Sequence, residues 1–149
     1  MKLKVYKVRE NAKLPARAHT TDAGADVFYC PEVEEPLTIE QNESRLISTG
    51  LKVGVPEGYM LEIKNKSGVA FKRSLVVGAC VVDSGYDGEV FVNLHNIGGA
   101  PQTILPGEKV AQAVLVPVVT PEFEEIQNDD VYGATTTRGS GALGSTGDF

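Results

Sequence analysis

The chain's 149 residues, 42% of them hydrophobic, suit one folded domain with a real core. No apolar run approaches the roughly 20 residues of a membrane span. A net charge of −6 discourages non-specific binding to nucleic acid, although Lys64, Lys66, Lys72 and Arg73 form a locally basic stretch that a small phosphate ligand could use.

Leu3 to Val8 is predicted as a first strand; it lacks a signal-peptide core. Cys30 and Cys80 have no metal-ligand spacing and read as reduced thiols, which sets a cytoplasmic expectation. Leu51 to Val55 and Tyr59 to Ile63 are strand candidates on either side of the Pro56-Glu57-Gly58 turn. The one predicted helix covers one or two turns near Ser67 to Lys72, with Ser67 as its candidate cap. Val90 to Leu94 and Val110 to Val119 complete the strong strand signals. Many short strands with dense Gly and Pro punctuation predict an all-β, jelly-roll-like fold.

Chemistry concentrates in Val81-Val82-Asp83-Ser84-Gly85-Tyr86-Asp87-Gly88-Glu89-Val90. Two β-branched residues deliver a carboxylate to a turn, and a ring follows three positions later. Such a turn can set a base beside a flat ligand. It can equally be a hairpin whose Asp and Gly only satisfy turn geometry.

Glu122, Glu124, Glu125, Asp129 and Asp130 read as a solvated acidic face. The stretch Arg138 to Gly147 has four glycines and little to bury, so alone it predicts a disordered tail. Its arginine, hydroxyls and permissive backbone also suit anion wrapping. It lacks the lysine and the following helix of a P-loop, which excludes that class of NTPase. His19 and His95 read as surface or turn residues, and no His/Cys/Asp cluster has zinc spacing.

Five segments recur in a familiar order: Asp22-Ala23-Gly24-Ala25-Asp26-Val27, Lys66-Ser67-Gly68-Val69-Ala70, Gly78 to Gly88, Pro106-Gly107-Glu108-Lys109-Val110-Ala111-Gln112, and the Gly-rich tail. Each is weak alone. Together they resemble the trimeric dUTPase family over almost the whole length. The resemblance implies a β core domain over 1–137 and a flexible C-terminal phosphate-binding arm over 138–149. It implies hydrolysis of dUTP to dUMP and pyrophosphate, with water attacking the α-phosphorus. Asp83 matches the residue that orients and deprotonates this water. An ordinary aspartate, with a pKa of about 3.9, is a weak base at neutral pH, so positioning must supply much of the effect.

The same resemblance assigns the other contacts. Lys66, Ser67 and Gly68 match the phosphate-contacting second motif, and at Ser67 this role can coexist with capping. Gln112 matches an amide that reaches the phosphates; by itself it would read as a polar residue on an exposed strand face. Arg138 matches the arginine that pairs with the γ-phosphate, and Leu143, Gly144, Ser145 and Thr146 match further tail contacts. Val77, Val81 and Val82 belong to the backbone stretch that reads the uracil edge. Tyr86 matches a ring that stacks under the deoxyribose and leaves no room for a 2′-hydroxyl; a plain core aromatic is its alternative. Mg²⁺ is the implied cofactor, held by phosphate oxygens and waters. Asp26 matches the carboxylate that orients a metal-bound water, with Asp22 competing for that role. The implied partners are dUTP and copies of the chain in a homotrimer with shared sites, with no nucleic acid and no membrane.

Three positions depart from the family pattern. Lys66 stands where arginine is usual, Cys80 where glycine is usual, and Leu143 where phenylalanine is usual. Two rival readings remain. A dCTP deaminase would need a glutamate where alignment on Gly88 puts Asn93, and an amide cannot shuttle the proton. A non-catalytic dUTP-binding regulatory module could keep the pocket without turnover.

Overall fold

Eleven short strands and one seven-residue helix make up the regular structure of the computed structural model, which describes all 149 residues. The elements run β1 (Val5–Lys7), β2 (Ala25–Phe28), β3 (Leu37–Ile39), β4 (Ser44–Ser48), β5 (Leu51–Val53), β6 (Tyr59–Lys64), α1 (Ser67–Arg73), β7 (Leu75–Val77), β8 (Val81–Asp83), β9 (Phe91–Asn96), β10 (Gln102–Ile104) and β11 (Lys109–Pro117). The expected all-β, jelly-roll-like architecture with a single short helix is what the chain adopts. The chain divides into two units, Met1–Val119 and Thr120–Phe149. All regular elements lie in the first.

Every strand pairing is antiparallel. A four-stranded sheet has the order β2-β11-β6-β8, and a three-stranded sheet the order β4-β9-β7. Two-stranded pairs β1-β5 and β10-β3 complete the unit. Alternation decides which face is buried. In β9, Val92, Leu94 and Asn96 point inward, while Phe91, Asn93 and His95 point outward. Ile39, Ile47, Val92, Leu94 and Ile104 are completely buried and form the centre of the core. The buried Asn96 is satisfied: its Nδ2 donates to the Ile39 and Ala100 carbonyls, and its Oδ1 accepts from the Gly98 N–H.

One local expectation needs correction. Ser67 does not cap α1. Lys66 holds the cap position with extended backbone (φ −93°, ψ 125°) and gives no side-chain cap bond. Its ammonium group is committed elsewhere, and Ser67 is already the first helical residue. The helix is held at its other end. Ser74 takes the left-handed conformation, and Lys72 and Arg73 occupy the last turn, where cations suit the helix dipole.

Candidate active site

Asp26 is buried in β2, directly opposite Gln112 of β11. Lys66 Nζ donates to its Oδ1 at 2.6 Å, and Lys109 Nζ lies 2.9 Å from its Oδ2. A β-bulge makes the second contact available. The β2-β11 register shifts between Lys109 and Ala111, so Lys109 pairs with Phe28. In an unbroken ladder Lys109 would face away from Asp26, because a one-residue shift exchanges the two faces. Burial pushes the Asp26 carboxyl up, but the hydrogen bonds from Lys109 and Lys66 and their charges outweigh it, and the group sits below its ordinary value.

Gln112 lies on the same face. Its Nε2 donates to the Asn65 carbonyl at 2.9 Å, while Asn65 Oδ1 accepts the Val77 N–H at 2.7 Å. Gly24 makes room for this amide, since a Cβ there would come within 2.4 Å of Gln112 Oε1. Asn65, Val77, Cys80 and Gln112 border a cavity of about 260 Å³. Ser67 and Gly68 open α1 and are exposed.

A second cavity of about 220 Å³ is lined by Cys80, Val81, Val82, Asp83, Tyr86 and Asn93, among others. Cys80 borders both cavities, so they adjoin. The strand β8 brings Asp83 there by pairing with β6, Asp83 opposite Met60. Asp83 ends the strand with an exposed side chain, and its carbonyl accepts the Tyr86 N–H at 3.2 Å. The turn passes through Gly85 at φ +89°, a conformation that favours glycine.

Tyr86 folds back over the turn. Its hydroxyl donates to the Glu89 carbonyl at 2.8 Å. Gly88 lies beneath the ring, where a Cβ would come within 2.2 Å of the hydroxyl oxygen. The Glu89 carboxylate accepts from both terminal nitrogens of Arg9 and from the Gly50 N–H at 2.7 Å. The hydrogen bond to Glu89 raises the Arg9 pKa, against the lowering effect of burial.

The structure therefore gathers Asp26, Lys66 and Gln112 on one side, and Val81, Val82, Asp83 and Tyr86 around the adjoining cavity, with Val77 at the border of the first. Arg138, Leu143, Gly144, Ser145 and Thr146 belong to the other unit. There Arg138 Nε donates to the Gly141 carbonyl at 3.0 Å, and Gly139, Gly144 and Gly147 have positive φ. Asn65, Lys109 and Asn93 join the site without having been predicted to. For Lys109 the missing signal is the bulge; Asn93 stood out only as a residue unable to do acid–base work. A larger cavity of about 430 Å³ beside Leu3, Leu14 and Leu115 is mainly apolar and holds none of the predicted residues.

The site offers no group of three or more His, Cys, Asp or Glu side chains that could cage a metal ion. A hard cation that brings its own phosphate and water ligands needs no such cage.

Comparison with known proteins gives a consistent picture. The dUTPase family profile matches residues 10–147. A deoxyuridine 5′-triphosphate nucleotidohydrolase of Clostridium novyi is 39% identical over 149 residues, covering 99% of each chain. One from Oryza sativa is 38% identical over 97% of this chain and 80% of its own. Among solved structures, the Staphylococcus bacteriophage 80alpha dUTPase with dUpNHpp superposes with a TM-score of 0.87 at 29% identity, covering 98% of each chain. A variant dUTPase from phage phi11 of S. aureus, described as coordinating a structural Mg(II) ion, gives a TM-score of 0.78 at 31% identity, over 87% of this chain and 99% of its own.

Proposed function

This chain belongs to the dUTPase family and hydrolyses dUTP to dUMP and pyrophosphate, and from that premise we propose that Asp83 is the general base of the reaction. The observation that carries the assignment is an exposed carboxylate at the end of β8, on the wall of the cavity shared with Tyr86. The base and sugar occupy that cavity. The backbone of residues 77–82 meets the uracil edge, and the Tyr86 ring, fixed to the Glu89 carbonyl, faces the deoxyribose. The triphosphate extends toward the adjoining space beside Gln112, Ser67 and Gly68.

Asp83 then holds and deprotonates a water aimed at the α-phosphorus, and pyrophosphate leaves. Negative charge that develops on the phosphate oxygens is met by fixed donors from this chain. Lys66 gives a positive charge near the phosphates. Ser67 and the Gly68 amide add hydrogen bonds, and Gln112 adds an amide. Asp26 would orient the water of a magnesium ion bound with the triphosphate, and that ion would supply charge neutralisation at the phosphate oxygens. Residues 138–149 act as an arm that supplies Arg138 to the γ-phosphate and Ser145 and Thr146 to the phosphates, with Leu143 as apolar cover. Three chains share their sites, each arm serving a neighbour. The exposed Leu143 and Phe149 of the arm support this, because they are apolar surface left to bury.

Asp83→Asn tests the central claim. Turnover of dUTP should fall by about 10³-fold or more, while affinity for a non-hydrolysable dUTP analogue stays within about threefold. Activity within tenfold of wild type would remove Asp83 from the reaction.

A further inference from the structure

The side chain of Asn93 borders the cavity assigned above to the base, yet it has nothing left to offer a ligand. An amide can accept two hydrogen bonds and donate two. Asn93 Oδ1 accepts the Ala79 N–H at 3.0 Å and pairs with His95 Nε2 at 3.1 Å. Its Nδ2 donates to Ser44 Oγ at 2.8 Å and, at a longer 3.4 Å, to the Arg45 carbonyl. These four partners fix which way the amide points: only the oxygen can receive the Ala79 N–H. The Asn93 backbone adds a further bond, its carbonyl accepting the Gly78 N–H at 2.9 Å.

Both groups act on the link between β7 and β8. Gly78 is pressed onto the outer face of β9, where a Cβ would come within 2.3 Å of His95 Nε2 and 2.4 Å of Asn93 Oδ1. The Ile63 N–H holds the Cys80 carbonyl from the other side at 2.7 Å. What remains unpaired along the link is the Cys80 N–H and the carbonyls of Gly78 and Ala79. Ala79 and Cys80 line the cavity assigned to the base, and the free Cys80 N–H is a donor that a nucleobase carbonyl can meet.

We propose that Asn93 is a positioning residue for base selection: by taking the Ala79 N–H out of play and holding the link against β9, it determines which backbone groups face the base. The inference rests on the reading that the backbone of residues 77–82 meets the uracil edge.

The test compares kcat/KM for dUTP and dCTP in wild type, Asn93→Ala and Asn93→Asp. The aspartate keeps an oxygen for the Ala79 N–H, and alanine removes it. In Asn93→Ala the preference for dUTP should fall about tenfold or more, through a raised KM for dUTP with kcat held within about threefold; in Asn93→Asp it should stay within about threefold of wild type. A preference unchanged in Asn93→Ala, or lost equally in Asn93→Asp, overturns the proposal. If Asn93→Ala does not fold, hydrogen exchange at the Ala79 amide decides: slow exchange in wild type and Asn93→Asp supports it, and fast exchange in wild type overturns it. Amide shifts on adding dUMP separate the two levels. If residues 77–82 do not respond in wild type, the reading of the base edge falls and the inference with it. If they respond while dUTP preference ignores Asn93, only the inference falls.

Discussion

Asp26 carries its charge where water is scarce, and Lys66 and Lys109 are what keep it ionised. Its folded pKa lies below the ordinary value. Such a group adds stability above its unfolded pKa of about 3.9, and that contribution disappears as pH falls through the lower folded value. The lysines are partly exposed, which screens the interaction and keeps it modest. Asp26→Asn in EDTA-treated protein should therefore lose about 1–2 kcal/mol in urea unfolding at pH 7. The gap to wild type should shrink below about pH 4, as the wild-type carboxylate is protonated. A gap of constant size down to pH 3 would mean that lost packing, and not lost charge, causes the destabilisation. The usual arginine at position 66 would bring a planar fork. Lys66 meets a single carboxylate oxygen, so the departure changes the geometry of the contact and keeps its charge.

At the scale of the element, the turn from Asp83 to Glu89 is built around the Tyr86 ring. Gly88 does not have positive φ, so its importance is space alone. Gly88→Ala should push the ring off the Glu89 carbonyl and weaken rejection of a 2′-hydroxyl. The expected result is about a tenfold loss of preference for dUTP over UTP, with little change in thermal stability. Undiminished preference would show that the ring does not police the sugar. This turn was legible in the sequence because carboxylate, glycine and ring lie within one short segment. The longer strands were legible too, since β6, β9 and β11 carry enough residues for alternation to show. Strands β3 and β10 have three residues each and no longer apolar stretch around them, whereas the equally short β1 and β5 lie within the predicted stretches Leu3 to Val8 and Leu51 to Val55. Lys109 was hidden for a different reason: its face depends on a bulge, and a bulge is a property of two paired strands. The Ser67 cap failed because the backbone turns helical one residue earlier than a cap would require.

At the scale of the whole molecule, the groups assigned to one reaction are divided between two units of the chain. Asp83 and Tyr86 belong to Met1–Val119, and Arg138 and Ser145 to Thr120–Phe149. If the arm serves a neighbouring subunit, the two contributions can come from different chains. A chain cut after Thr137 retains Asp83 and loses the arm, whereas full-length Asp83→Asn retains the arm and loses the base. Each alone should turn over dUTP at least about 100-fold more slowly than wild type. Refolded together from a mixture, they should recover a substantial fraction of wild-type activity, because some assemblies pair an intact Asp83 with an intact arm from another chain. Sedimentation of the mixture should give a mass of three chains, each full-length chain being 15.9 kDa. Mixed trimers without recovered activity would mean that each arm closes over its own subunit. A species with the mass of one chain that hydrolyses dUTP at the full rate would remove the shared site altogether.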